Sequence, residues 1–427
     1  MKLTSFSNVK LPIVLIALFS LLQLGVLVLF GYTPYHDSDS YLYLAEECVR
    51  YGEPYPVKHT LNDIPFLWNI GAINAVAASL ALTDNIIPLL VIYSLMKGLT
   101  ALSFYLLAKK ILGQKTALIC LLIYIAYPAN YGEGTSTLTE LPFMFFIMLG
   151  IWLIVARNYY FLGGLLFALA NWFRPMGIVF LLATFIYLIL CHHNKKQCFS
   201  RITFHSLRLI IGYIVMVCII GFATMHRTGL FLYQSKTGWM ALADYSTNHS
   251  SISMSVRDNN NWNVAQKDSA WQAIFLQWLV NNPCEYFKQM PRKLVDTYIS
   301  DNVNMCVYVP NKTRETMYEV VSLRTLINCF PSLSPLQWFT VVNQMFYYLL
   351  LFTAFFSLRY FSIKKHLLPM VCIIIGTLLL LFFGHGEARF HQPFIPFIIM
   401  LSALFLQGIL PNNWFPLKDT KRNKIGK

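Results

Sequence analysis

The stretch "YTPYHDSDSYLYLAEECVRYGEPYP" (residues 32–56) begins directly after the apolar run 11–30 and contains two acids close together. The run is long enough to cross a bilayer, which needs about 20 apolar residues. Asp37 and Asp39 therefore lie at a membrane boundary, immediately before a segment with helical periodicity. Because charge near lipid is costly, acids at this place need a structural or a chemical reason.

The composition is that of a polytopic membrane protein. Of the 427 residues, 56% are hydrophobic and 12% are charged, whereas about 25% charge is usual in soluble domains. The first apolar run is too long for a signal peptide and lacks a small-residue cleavage site, so we interpret it as a retained span. The net charge of +14 is explained by basic cytoplasmic loops, and no nucleic-acid partner is expected. The nine cysteines show no metal-binding spacing.

The distribution of basic residues selects one topology among eleven candidate spans. The weakest candidate is 64–83, which is Ala-rich and contains Asn69 and Asn74. If it stays out of the bilayer, the inner loops and both termini hold 18 of the 33 basic residues and one acid, as the positive-inside rule requires. If it crosses, two basic loops move outside. The candidates are 11–30, 64–83, 86–109, 115–130, 140–157, 159–173, 175–191, 206–224, 341–358, 366–384 and 391–410.

We therefore predict an all-α fold with about ten transmembrane helices, both termini inside, and juxtamembrane helices on the outer face. Residues 1–224 are expected to form an N-terminal transmembrane module with a first outer loop at 31–85. A second outer loop with surface helices covers 225–340, and the C-terminal helices and a basic cytoplasmic tail cover 341–427. Within the second loop, Pro283 suits the first turn of a new helix.

The segment after Asp39 predicts an amphipathic helix that lies along the membrane surface. Its apolar residues follow helical spacing, and they are Tyr41, Leu44, Ala45, Cys48 and Val49. Gly52 is expected to end the helix. One acid can cap such a helix, but a second acid two positions later is not needed for a cap. A carboxylate here is also placed to act as a general base toward a hydroxyl or an amine.

The predicted topology brings further polar residues to the same boundary. They are Lys58, His59 and Asp63 in the first loop, Glu140 at the head of a span, Arg174 at an outer turn, and His385, Glu387, Arg389 and His391 in a late turn. Cations suit a lipid phosphate, and acids suit either proton transfer or a divalent cation beside that phosphate. Structural alternatives remain: a local ion pair of Glu387 with Arg389, snorkelling of Arg174 and helix capping by Glu140.

The order and sidedness of these residues resemble the GT-C superfamily of integral-membrane glycosyltransferases, closest in style to the protein O-mannosyltransferase and lipid A aminoarabinose transferase branch. The early acidic elements are matched by the "D-x-x-x-Y-x-x-x-A" pattern of Asp37, Tyr41 and Ala45, by Glu140 in "LTELPF" and by Asp63 in "NDIP". "FRPMG" and "GEARFHQPFIP" are similar to late motifs of bacterial members. The first motif departs from the family, because it has serine where many relatives have a second acid.

The resemblance implies a GT-C type fold and a glycosyltransferase that moves a sugar from a polyprenyl-phosphate donor to a lipid, glycan or protein acceptor. Asp37, or Asp39 as its competitor, and Glu140 would be catalytic. Binding of the donor phosphate and substrate would fall to Lys58, His59, Asp63, Arg174, His385, Glu387 and Arg389. No cofactor is certain, although a divalent cation is possible. The expected location is the inner (plasma) membrane, among membrane lipids, with the active site facing outside or the periplasm.

Two other functions fit parts of the sequence. A lipid or sugar transporter or flippase is suggested by Lys97, a cation in the middle of a span without an evident partner. A polysaccharide polymerase or ligase would rely on loop residues such as Arg227 or Arg292. The polymerase or ligase reading would gain if Asp37 and Asp39 were dispensable.

Overall fold

The computed structural model consists of helices joined by mostly short connections, and the part of the chain that it describes contains no strand. The described residues are 7–35, 37–192, 198–248, 251–308, 323–328, 332–384 and 386–410. The α-helices in chain order are α1 (Ser7–Phe30), α2 (Ser38–Arg50), α3 (Lys58–Asp63), α4 (Ile70–Thr83), α5 (Ile87–Leu112), α6 (Gln114–Ala126), α7 (Glu140–Arg157), α8 (Tyr160–Phe173), α9 (Gly177–His192), α10 (Cys198–Thr228), α11 (Gly238–Ser246), α12 (Ser251–Arg257), α13 (Val264–Asn281), α14 (Pro283–Tyr298), α15 (Leu323–Asn328), α16 (Pro335–Phe356), α17 (Ile363–Phe383) and α18 (Ile395–Ile409).

Seven helical stretches of the described chain are long and apolar enough to cross a membrane. They are Lys10–Phe30, Ile87–Leu112, Glu140–Arg157, Ile202–Thr228, Gln337–Tyr360, Ile363–Phe383 and Ala388–Ile409. Three shorter apolar helices, α6, α8 and α9, coincide with further predicted spans. The seven and the three together account for the ten predicted spans, so the prediction of an all-α, multi-pass membrane protein is confirmed.

The fourth short apolar helix, α4, lies in the segment 64–83 that was expected to stay outside the bilayer. It packs against α2, α5 and α8. Its beginning meets the end of α8 closely, because a Cβ atom on Gly71 would lie 3.0 Å from the carbonyl oxygen of Trp172. Helix α4 thus holds α2 against the bundle, next to the turn that contains Arg174.

Glycines allow α8 and α10 to pack backbone against backbone. A Cβ atom on Gly164 would collide with the carbonyl oxygen of Leu209, and one on Gly212 would collide with that of Phe161. Small residues are typical of contacts between membrane helices, because lipid removes the hydrophobic driving force and leaves van der Waals packing to hold them.

The amphipathic helix predicted after Asp39 is confirmed as α2. Tyr41, Ala45 and Cys48 are buried on its inner face, whereas Val49 lies at the edge and is 38% exposed. Gly52, with a φ of +63°, follows the end of the helix, as its freedom to adopt positive φ predicts.

The second outer loop is helical, and its two longest helices are separated at the predicted position. Helix α13 ends at Asn281, and Pro283 is the first residue of α14. A small core around Trp271, Phe275 and Tyr286 includes Phe66 of the first outer loop. The two outer loops therefore pack on each other above the membrane helices.

Candidate active site

A cleft of about 440 Å³ opens where the segments 31–85 and 225–340 meet one end of the membrane helices. Its wall draws on α2, the segment before α4, the turn after α8, the start of the second outer loop, the end of α17 and the turn before α18. Its charged lining residues are Asp37, Arg174 and Arg389. Three residues predicted separately from the sequence therefore line one cavity.

Asp37 precedes α2 but does not cap it. The residue occupies the N-cap position, and its side chain makes no capping hydrogen bond. Its carboxylate instead accepts a hydrogen bond from Nη1 of Arg389, with 2.8 Å between Nη1 and Oδ2. The side chain stays 26% exposed, so the acid faces the cleft, and the simple capping role is not what the geometry shows.

Arg389 joins two acids at the floor of the cleft. Besides Asp37, its Nε lies 2.8 Å from Oε1 of Glu387, and only 14% of the arginine side chain is exposed. The Glu140 carboxylate is also near enough to interact with it electrostatically. A guanidinium has five N–H donors, so contacts with two carboxylates leave donors available for a phosphate.

Glu140 and Arg174 form a second ion pair at the cleft, and Arg174 is the member that lines the cavity. Glu140 is the first residue of α7, and its Oε1 accepts from Nη1 of Arg174. The glutamate is 3% exposed and the arginine 6%. Arg174 also lies over the ring of Phe390, 5.1 Å from its centre. The burial of Arg174 rules out snorkelling to the surface, and Glu140 does more than cap its helix.

The remaining walls of the cleft are aromatic on one side and polar on another. Trp68 packs edge-on against Tyr41 and close to Phe66, with ring centres 5.7 and 4.8 Å apart. Asn69 donates to the Tyr41 hydroxyl oxygen over 2.7 Å. Of the other polar lining residues, Gln234, Ser235 and Thr237 come from the second outer loop and Thr139 directly precedes α7, and the apolar end of α17 closes the rim. No motif in the sequence pointed to the 234–237 segment.

The other predicted site residues lie away from this cleft. Asp39 is exposed on the first turn of α2, where partial burial raises its pKa above the usual range. Lys58, His59 and Asp63 are exposed on α3, and His59 pairs with Asp63 over 3.0 Å. Of these four, none lines the cavity. His385 lies outside the described residues.

A second buried polar cluster explains the cation in the middle of α5. The Lys97 ammonium group pairs with the Glu133 carboxylate, which also accepts from Nδ2 of Asn304 over 3.0 Å. The Tyr124 ring lies 5.5 Å from the ammonium nitrogen. Sequence reasoning missed Glu133, although an unpaired cation in a span implies an acidic partner.

We expect Lys97→Met to lower the free energy of unfolding by about 3–5 kcal/mol, because it leaves the Glu133 carboxylate buried without its cation. Unfolding in detergent micelles, followed by circular dichroism, would measure the change. Lys109→Met is the matched control, since Lys109 is exposed in the last turn of α5. Equal stability of the two variants would contradict a structural role for the pair, and Lys97→Met with Glu133→Gln should restore part of the loss.

The described residues do not form a binding site for a divalent cation. They contain no group of three or more His, Cys, Asp or Glu side chains that could hold a metal. At the cleft, the carboxylates of Asp37 and Glu140 already pair with arginines, and those arginines would repel a cation. The residues present therefore do not fit a metal.

Comparison with known proteins identifies a solved structure with a similar fold. No family model and no curated protein sequence matches the chain. Among solved structures, the archaeal oligosaccharyltransferase AglB from Archaeoglobus fulgidus, in complex with an inhibitory peptide and a dolichol-phosphate, matches 95% of this chain with a TM-score of 0.53 and 11% identity. The chain spans about half of that protein, 51% of its length. The match supports the resemblance inferred from the sequence at the level of the fold alone: this chain shares the fold of that oligosaccharyltransferase.

Proposed function

We propose that the protein transfers a sugar from a polyprenyl-phosphate donor to an acceptor at the outer face of the membrane. One observation carries the proposal: Asp37, Arg389 and Arg174 line a single cleft at the outer ends of the membrane helices. A carboxylate beside two guanidinium groups suits a reaction in which an acceptor loses a proton while a phosphate leaves. The GT-C fold supports the same class of chemistry by analogy.

In the proposed reaction, Asp37 is the general base. Its Oδ atoms take the proton of an acceptor hydroxyl or amine as the acceptor attacks the anomeric carbon. The bond between that carbon and the phosphate oxygen breaks, and the electron pair leaves with the polyprenyl phosphate. Inversion at the anomeric carbon follows from a single displacement.

The two arginines serve the leaving group. Negative charge develops on the phosphate oxygen as the bond breaks, and fixed cations in a partly dry cleft stabilise that charge. Arg389 is held by Asp37 and Glu387, and Arg174 by Glu140, so both guanidinium groups are positioned before the donor arrives. Glu140 is thus assigned a supporting role, in which it orients Arg174.

Donor binding also prepares the base. In the structure, the Asp37 carboxylate is paired with Arg389. A donor phosphate that contacts Arg389 competes with Asp37 for its N–H groups. The arrival of the donor would therefore release the Asp37 carboxylate at the moment when an acceptor must be deprotonated.

The walls of the cleft fit the parts of such a substrate. The end of α17, with Leu380 and Phe383, gives the lipid chain an apolar path from the bilayer. Trp68 and Phe66 offer flat faces to a sugar ring, and the polar side chains from Gln234 to Thr237 offer hydrogen bonds. The acceptor can be a lipid, a glycan or a protein, each of which carries a suitable hydroxyl or amine.

The proposed setting is the plasma (inner) membrane, with the cleft facing outside or the periplasm. The charge bias supports this orientation, because the basic residues Lys109, Lys110 and Arg157 lie in the last turns of α5 and α7, away from the cleft, and basic residues collect on the cytoplasmic side of membrane proteins.

Reconstitution of the purified protein into liposomes with a polyprenyl-phosphate sugar labelled in the sugar would test the proposal. We expect release of polyprenyl phosphate and covalent transfer of the label to an acceptor. Translocation of intact donor without a covalent product would favour a flippase instead. Mass spectrometry of lipid-linked sugars and surface glycans, with and without the gene, would then identify donor and acceptor.

A further inference from the structure

Helix α14 of the second outer loop makes polar contacts with the end of α17. The hydroxyl of Tyr286 donates to the carbonyl oxygen of Phe382, and Nζ of Lys293 lies 3.4 Å from that of Leu381. Both carbonyls belong to the last turn of α17, where helical carbonyl oxygens lack intrahelical partners. A cation at this end also interacts favourably with the helix dipole. Helix α14 therefore caps α17 from outside.

The same helix holds the turn that follows α17. A Cβ atom on Gly386 would lie 2.8 Å from the Cα and carbonyl oxygen of Lys293, so the two backbones are in direct contact. Further on, Nδ1 of His391 lies 2.6 Å from the carbonyl oxygen of Thr297. Arg389 lies between these two fixed points, so α14 sets the position of the guanidinium that meets Asp37.

Lys293 is the charged residue at the centre of this contact. It is 1% exposed, and its ammonium nitrogen lies 4.8 Å and 5.3 Å from the ring centres of Tyr286 and Tyr245. It forms no ion pair with an acid of the described chain. The nearby Asp296 is paired with Arg292, and Glu387 with Arg389. Burial of a cation without an acidic partner costs free energy, which the two rings and the carbonyl oxygens offset only in part. Such a residue therefore calls for a functional explanation.

We propose that Lys293 is a positioning residue for the transfer reaction: it fixes the end of α17, and thereby the turn that places Arg389 against Asp37. Helix α14 then acts on the reaction without touching the substrate. The catalytic effect of Lys293 rests on the proposed function, whereas its hold on the turn does not.

The charge of Lys293 is open to titration. Burial lowers its pKa to about 8. The titratable side chains around its nitrogen are Tyr245 of α11 and Tyr286 of α14, while α17 contributes backbone carbonyl oxygens. Below pH 8 the ammonium form holds the helix end, and above pH 8 the neutral amine holds it less well. We therefore expect the activity of the wild type to decline above pH 8. Substitution of Lys293 by arginine, which stays protonated, should remove this decline.

Three variants test the proposal. We expect Lys293→Met to lower kcat/KM for the donor by about ten- to hundredfold, the scale of a small misplacement of a catalytic group, and Lys293→Arg to restore activity and abolish the decline above pH 8. Lys288→Met is the matched control on the same helix, because Lys288 is 73% exposed and pairs only with Glu285 over 3.4 Å.

Hydrogen exchange of the amides of 386–390, measured without donor, provides a readout independent of activity. We expect faster exchange in Lys293→Met than in Lys288→Met. Equal exchange in both variants, or a wild-type pH profile unchanged by Lys293→Arg, would overturn the proposal. If Lys293→Met does not fold, wild type and Lys293→Arg compared at pH 7 and pH 9 decide the question. If the wild type transfers no sugar, the proposed function fails, and exchange still decides on Lys293.

Discussion

Asp37→Asn is expected to lower kcat by about a hundred- to ten-thousandfold, the usual contribution of a general base. The side-chain oxygen of asparagine can still accept from Arg389, so the 2.8 Å contact between the two residues survives. What is lost is the ability to take a proton. Membrane insertion and the unfolding temperature should stay close to those of the wild type, because no buried group loses its partner.

Asp39→Asn is the comparison that assigns the base. Asp39 is exposed and does not line the cleft, so this variant should transfer sugar at nearly the wild-type rate. Full activity of Asp37→Asn would remove the proposed base, and an equal loss in both variants would point to a shared electrostatic effect. Rates would be measured in liposomes with labelled donor at saturating acceptor.

Arg389→Met should impair both catalysis and the stability of the turn before α18. It removes the positive charge that stabilises the leaving phosphate, an effect of about a hundred- to a thousandfold on kcat. It also leaves Asp37 and Glu387 facing each other without a cation, which weakens donor binding and destabilises the turn. Loss of kcat, a raised KM and a lower unfolding temperature should therefore appear together.

Two further variants separate charge from geometry at this position. Arg389→Lys keeps the charge, but an ammonium group does not have the planar fork that reaches two carboxylates, so an intermediate loss is expected. Arg292→Met is the control: Arg292 is 80% exposed and pairs with Asp296 over 3.5 Å, a contact of little energetic worth. An inactive Arg292→Met beside an active Arg389→Met would favour the polymerase or ligase reading.

Much of the architecture could be predicted because two strong physical signals cover it. Long apolar runs marked the spans, and the asymmetry of basic residues predicted their sidedness without any knowledge of packing. Helical periodicity placed α2, and Pro283 marked the beginning of α14. The same sidedness put Asp37, Glu140, Arg174 and Arg389 at one end of the bundle.

Which of these residues would meet could not be predicted. Arg389 pairs with Asp37 across 352 positions of the chain, and Arg174 pairs with Glu140 across 34. No local pattern encodes such contacts, which depend on how helices pack. For the same reason Glu133 was missed as the partner of Lys97, and Gln234 as a lining residue. The predicted topology suggested Lys58, His59 and Asp63, the last also by motif likeness, and α3 holds them exposed outside the cleft.

The long chain distance between Asp37 and Arg389 has a consequence for biogenesis. The acid emerges from the ribosome among the first tenth of the 427 residues, and its arginine follows 352 positions later. Until the last hydrophobic segments have left the translocon, the nascent protein cannot bring the two together. Any activity that depends on this pair must therefore wait until Arg389 has been synthesised and the helices around it have packed.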